Sequence, residues 1–171
     1  GGLPVGDIVL ATNANRVLPD FFAGGAYAPR PSVATLASAM DVGAPGNFER
    51  LRWIYPDDAA LRKALGADAI DDDAIRDEIR ASESRYGTLV CPHTAVATAV
   101  LARRRACGDR RDFAVVATAH PAKFDAVIEP LIGRRIEVPP ALAALLERPS
   151  RSEPIAANYT ALRERLIAFA G

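Results

Sequence analysis

A chain of 171 residues, half of them hydrophobic, is long enough for one domain with a real core or for part of a larger one. A quarter of the residues are charged and the formal net charge is zero, so nothing electrostatic points to nucleic acid or an anionic membrane as partner. No apolar stretch approaches the length of a membrane span, and the beginning lacks a basic-then-apolar signal pattern. Among the cations, only Lys63 and Lys123 are lysines, so chemistry that needs a lysine amine has two candidates. Cys91 and Cys107 have no second pair with which to build a zinc site. Cys91-Pro92-His93 could be read as two metal ligands, but the chain holds just two histidines, and reduced cytosolic thiols are the preferred reading. Gly1-Gly2-Leu3-Pro4-Val5-Gly6-Asp7 has no initiator Met and reads as a loop entering a strand, as in a piece of something longer.

In chain order, residues 8–12 form an apolar run that ends at the polar corner Asn13-Ala14-Asn15. A short helix over 17–22 closes at Gly24-Gly25. Residues 27–32 carry two prolines and read as loop, 33–39 as a weakly alternating strand, and 40–46 as a Gly/Pro loop. Asn47 is placed to cap a helix over 48–55 whose apolar face is Phe48, Leu51, Trp53 and Ile54. Asp57 or Asp58 caps a helix that runs through Leu65 to Gly66. Asp71-Asp72-Asp73 looks like an acidic metal triplet, but carboxylates also suit the start of a helix over 74–84, and that reading is preferred. Ile70, Ile75 and Ile79 give this helix a buried stripe. The helix beginning at Pro92 has very small side chains and ends in Arg103-Arg104-Arg105, a triplet better read as a solvated helix end than as a phosphate site.

Residues 113–117 are five apolar residues without polar interruption, the signature of a strand buried on both faces of a parallel sheet. Thr118 and His120 then stand where that strand hands over to a helix opened by Pro121 and running over 123–131. In open α/β sheets, ligands bind at that edge. Ile136-Glu137-Val138 precedes Pro139-Pro140 and a helix to Leu146; a polar linker covers 148–154, and an amphipathic helix covers 159–169. Strands alternating with helices predict an α/β fold with a mainly parallel sheet.

Four blocks give the chain a family resemblance: Ala11-Thr12-Asn13-Ala14-Asn15; Met40-Asp41-Val42-Gly43-Ala44-Pro45-Gly46-Asn47-Phe48-Glu49-Arg50-Leu51; Cys91-Pro92-His93-Thr94-Ala95-Val96; and Ala117-Thr118-Ala119-His120-Pro121-Ala122-Lys123-Phe124. In this order and spacing they resemble the carboxy-terminal portion of threonine synthase, a pyridoxal 5'-phosphate (PLP) enzyme of the tryptophan-synthase-β fold, fold type II. The resemblance implies a partial domain of that type over 1–147, followed by a linker and terminal helix over 148–171. It implies PLP as cofactor and O-phospho-L-homoserine as a small-molecule substrate, converted with water to L-threonine and phosphate in a cytoplasmic biosynthetic enzyme. It also implies that the Schiff-base lysine and the glycine-rich phosphate loop lie upstream, in a missing amino-terminal half. Neither Lys63 nor Lys123 has the family lysine's neighbours, so no catalytic residue is assigned within the chain, which alone should be inactive.

By the same resemblance, Thr118 faces the pyridine nitrogen of the cofactor. A neutral hydroxyl there makes a weaker electron sink than an aspartate would, which suits elimination and replacement. His120 either contacts the cofactor or a polar neighbour, or is fixed by Pro121 in a buried hydrogen bond. Asn13 and Asn15, at the same sheet edge, are candidates to reach the substrate. Asp41 and Asn47 flank a loop that could close on the site; His93 is a weaker candidate, and Lys123 reads as structural or surface. Cys91 stands where relatives often carry an acidic residue. Two related readings remain open: another fold-type-II lyase, such as a threonine ammonia-lyase or cysteate synthase, and a non-catalytic binding module.

Overall fold

The computed structural model describes residues 5–149 and 152–170. The Gly1-Gly2-Leu3-Pro4 part of the expected entry loop and the middle of the expected linker lie outside them. Two compact units divide the chain, one ending at Glu137 and the other beginning at Val138.

In the first unit, β1 (Ile8–Thr12) and β2 (Leu65–Ala69) form a two-stranded parallel sheet, with Ile8 opposite Leu65 and Thr12 opposite Ala69. Between them lie α1 (Val17–Phe22), α2 (Phe48–Ile54) and α3 (Asp58–Ala64). After β2 come α4 (Asp72–Tyr86) and α5 (Pro92–Ala106), then a 3-10 turn at Pro121–Phe124 that leads into α6 (Asp125–Ile132). No helix among the described residues is long and apolar enough to cross a membrane.

Local chemistry accounts for most boundaries. Asp57 accepts from the Ala60 amide at 2.7 Å and Asp71 from the Ala74 amide at 2.8 Å, each satisfying a free donor at a helix start. The remaining acids of the triplet are also engaged: Asp72 accepts from the Leu36 amide at 3.0 Å, and Asp73 pairs with Arg76. α4 ends on Gly87 at φ +71°, a left-handed cap that residues with a side chain rarely adopt. The arginines closing α5 are tied back to the fold: Arg103 donates to the Ala69 carbonyl, Arg104 pairs with Asp68, and Arg105 donates to the Asp109 carbonyl.

Ile70, Ile75 and Ile79 form the expected buried stripe and pack with Val90, Ala95, Val96 and Ile128, which joins α4, α5 and α6. A second cluster gathers Phe21, Phe48, Leu61 and Leu65. The rings of Phe21 and Phe48 meet edge-on at 4.7 Å, and Tyr27 stacks on Phe48 at 4.2 Å.

Five expectations are corrected. Residues 65–69 do not continue a helix but form β2, because Ala64 ends α3 and the chain then pairs with β1. Residues 33–39 form no strand; side chains hold this stretch, and Ser38–Met40 is a 3-10 turn. Asn47 makes no side-chain cap, since Phe48 and Glu49 already donate to the carbonyls of Pro45 and Gly46. Of the apolar face expected on α2, only Phe48 is buried, while Trp53 is 88 % exposed. Residues 113–117 belong to no strand, and Val116 is 78 % exposed. Among the described residues they make no backbone-to-backbone hydrogen bond, so the run is not buried on both faces.

The second unit contains α7 (Pro140–Leu146) and α8 (Tyr159–Ala170). Its polar contacts include an Asn158 side chain accepting from the Ala161 amide and an Arg165–Glu153 ion pair.

Candidate functional site

A cavity of about 1090 Å³ lies between β1, α5 and residues 111–119 of the first unit. It is far too large to be a packing void, since natural interiors keep few gaps bigger than a water molecule. Thr12, His93, Thr118, Lys123 and Phe124 are among the residues that line it.

Thr118 stands exposed on this lining and is held from behind by the first turn of α5. Its amide donates to Thr94 Oγ1 at 3.2 Å, and its own Oγ1 lies 3.3 Å from both Thr94 Oγ1 and Cys91 Sγ. Cys91 caps α5, accepting from the Thr94 amide at 3.4 Å, and is fully buried. Burial by itself would raise the Cys91 thiol; hydrogen bonds from Thr118 and Thr94 outweigh it and hold the thiol below its ordinary range. The cluster is therefore made of neutral or weakly acidic groups, and Thr118 is its member on the cavity lining.

His93, one residue before Thr94, is buried with its ring 4.9 Å from that of Phe124. Its Nε2 accepts from the Ala39 amide at 3.0 Å, which fastens the 38–40 turn to α5. An acceptor must be unprotonated, and burial lowers the His93 pKa, with Asp41 pulling weakly the other way. The unfolded chain, where His93 titrates near 6.5, then takes up a proton before the fold does. His93 thus contributes stability that is complete above about pH 6.5 and falls away as the pH drops below it. His93→Gln, whose amide oxygen can accept the same bond, should flatten this part of a urea-midpoint-against-pH curve between about pH 7 and 5. An unchanged slope would assign the acid sensitivity to other groups.

Asn13 and Asn15 are both buried, and their polar atoms face inward. Asn13 Nδ2 donates to Asp41 Oδ1 at 2.7 Å, to Thr35 Oγ1 at 2.8 Å and to the Ala37 carbonyl at 3.2 Å. Asn13 Oδ1 accepts from the Asn15 amide and from Asn15 Nδ2, at 3.0 and 2.9 Å. Asn15 in turn exchanges bonds with both backbone groups of Val33. Asp41 completes the clasp by accepting from Thr35 through its amide and its hydroxyl. Thr12, not Asn13, lines the cavity. His120 is exposed and caps the 3-10 turn, accepting from the Ala122 amide at 3.2 Å; it is not part of the cavity lining. Lys123 is exposed at the cavity, whereas Asn47 lies outside it.

Thr94 and Cys91 as partners of Thr118, and Thr35 as partner of Asp41, were not legible from the sequence by chemistry. The available signal was the block Cys91-Pro92-His93-Thr94, in which Pro92 marks a helix start and so puts residues 91 and 94 on one capping turn. In space the four sequence blocks converge: Asn13 and Asn15 with Asp41, His93 with Ala39 beside Met40, and Cys91 and Thr94 with Thr118.

Comparison with known proteins points the same way. The family model described as "Threonine synthase, C-terminal" matches residues 94–167. Threonine synthase of Serratia marcescens is 36% identical over 166 residues, covering 97% of this chain and 38% of its own length. That of Escherichia coli (strain K12) is 34% identical with the same coverage. Among solved structures, threonine synthase from Escherichia coli superposes with a TM-score of 0.80 at 32% identity, over 98% of this chain and 39% of that one. A PLP-bound threonine synthase from Brucella melitensis gives 0.72 at 28% identity, over 86% and 37%. The chain thus spans under two-fifths of the length of these relatives. Over nearly its whole length, in sequence and in fold, it resembles the carboxy-terminal portion of the threonine synthases.

Proposed function

We propose that this chain is the carboxy-terminal part of a threonine synthase, and that the complete polypeptide converts O-phospho-L-homoserine and water to L-threonine and phosphate with PLP. The observation that carries this reading is the convergence of four separated sequence blocks around one cavity, with Thr118 exposed on its lining. The donor set fits the ring of that cofactor. The side-chain groups in contact with Thr118 Oγ1 are a thiol and a second hydroxyl, with no carboxylate among them, as suits a pyridine nitrogen that is not to be held fully protonated. When bound, PLP supplies the electron sink for proton removal from the substrate and for departure of its phosphate.

This chain's residues supply one wall. Thr118 Oγ1 would be the group that meets the ring nitrogen, and Thr94 Oγ1 accepts from the Thr118 amide and so fixes the backbone that carries it. His93 and Phe124 give the wall an aromatic lining that keeps water from the reacting atoms. The lysine that anchors the cofactor and moves protons on the substrate belongs to the rest of the polypeptide. Mixed with PLP and reduced with borohydride, the 171-residue chain should therefore yield no specific adduct by peptide mass mapping. A stoichiometric adduct at Lys63 or Lys123 would overturn that assignment.

The function is tested with the full-length polypeptide from the same reading frame. Given O-phospho-L-homoserine, it should release phosphate and L-threonine in equal amounts. Turnover of L-threonine to a 2-oxo acid, formation of a sulfonated amino acid, or inertness toward all three substrates would refute the reading in favour of a related lyase or a binding module.

A further inference from the structure

The proposed function leaves Cys91 without a role, although its thiol is fully buried and in contact with Thr118. Cys91 Sγ, Thr94 Oγ1 and Thr118 Oγ1 form a triangle, each 3.3 Å from the other two. Two backbone amides donate into it, Thr94 to Cys91 Sγ and Thr118 to Thr94 Oγ1. Each of the three side chains carries one hydrogen of its own, enough for every group to donate to the next. Of the three, Thr118 alone lines the cavity, so its hydrogen is the one that can serve an acceptor outside the triangle. When it does, two hydrogens remain, and the neutral thiol can donate to Thr118 Oγ1 from within the fold. Loss of the Cys91 proton also leaves two hydrogens, but the thiolate is then the strongest acceptor and draws both hydroxyls. Thr118 is left with lone pairs only to offer the cavity. The charge on one sulfur atom therefore decides whether Thr118 presents a donor or an acceptor.

We propose that Cys91 is a positioning residue for Thr118: as a neutral thiol it leaves the Thr118 hydroxyl hydrogen free for the unprotonated ring nitrogen of PLP. The proposal rests on the reading given above, that Thr118 meets that ring. On ionisation Cys91 releases its proton to water, and the Thr118 hydrogen turns from the ring nitrogen to Sγ with its O–H bond intact. The thiol's bonded partners among the described residues, Thr94 and Thr118, carry no charge. Titratable side chains on the neighbouring elements are engaged elsewhere: His93 accepts from Ala39, Asp41 from Asn13 and Thr35, and His120 from Ala122, while Glu78 pairs with Arg85. Lys123 lies on the cavity lining. The hydrogen bonds that hold the thiol below its ordinary range bring its ionisation within reach of mild alkali. One hydrogen cannot serve both ring and sulfur, so cofactor binding and thiol ionisation oppose each other, and by reciprocity each weakens the other equally.

The test follows the Raman S–H band of Cys91 against pH in the full-length polypeptide, with and without PLP. Subtracting the spectrum of Cys91→Ser isolates the band, and Cys91→Val serves the same subtraction should serine at this buried position not fold. The pH at which half the band is lost should lie about one unit higher with PLP bound, the equivalent of one hydrogen bond to a charged group. An unchanged midpoint would overturn the proposal and leave Cys91 as a helix cap alone. A lower midpoint would also overturn it, by showing a thiolate that faces a protonated ring, and so would failure of PLP to bind. The absorbance of bound PLP should step at the same midpoint in the parent and stay level across it in the variant; a step in both, or in neither, would count against the proposal. Turnover of O-phospho-L-homoserine by the same sample separates the two readings. A raised midpoint without turnover keeps the role of Cys91 and refutes the function; turnover with an unchanged midpoint does the reverse.

Discussion

Asn13→Leu will lower the stability of the fold by about 3 kcal/mol or more. The side chain is fully buried and its two polar atoms serve five partners, so an apolar replacement of similar size strands several of them at once. Each buried donor or acceptor left without a partner costs about 1–3 kcal/mol. Asp41 is also affected, because its carboxylate loses the Nδ2 donor at 2.7 Å. Chemical denaturation of parent and variant would show the shift in midpoint. A change below about 1 kcal/mol would mean that the clasp repacks, and that Asn13 is free for another role. Asn13→Asp provides a further check. Two carboxylates side by side raise each other's pKa, so the folded variant binds an extra proton. Its stability should then be lowest at neutral pH and return as the pH falls.

Thr118→Val in the full-length polypeptide should reduce turnover about ten- to a hundredfold, the equivalent of one hydrogen bond to the cofactor ring, whereas Thr118→Ser should stay near the parent. Valine keeps the shape, and the backbone bond from residue 118 to Thr94 survives, so the segment stays in place. If Thr118 serves the ring as proposed and not the substrate, the loss should fall on kcat, with KM little changed. The spectrum of the bound cofactor should shift in the valine variant alone. Equal activity of Val and Ser variants would remove Thr118 from the site.

Much of the helical framework was legible because its signals are local. Asp57 and Asp71 announce helix starts through short-range capping, and the Ile70, Ile75, Ile79 spacing reports one buried face without knowledge of the partner. β2 was not legible, since Leu65-Gly66-Ala67-Asp68-Ala69 has poor strand formers and owes its conformation to pairing with β1. Residues 113–117 failed in the opposite sense. Their composition reports what the segment suits, while among the described residues Phe113 and Val115 are only partly covered and Val116 is exposed. Asn13 and Asn15 were recognised as a polar corner at a strand end, but their direction is a tertiary fact. Hydroxyls and carbonyls from residues 33–41 draw both amides inward.

The first turn of α5 grips two things at once: through His93 it holds Ala39, and through Cys91 and Thr94 it holds Thr118. A helical turn is among the stiffest pieces of polypeptide, with a fixed rise of about 5.4 Å. It therefore works as a gauge block, setting the aperture between the 38–40 turn and residue 118 by covalent geometry and not by a balance of weak contacts. Substitutions elsewhere in the unit can loosen the molecule without changing that aperture, and drift in the aperture would have to begin with a change at residues 91–94.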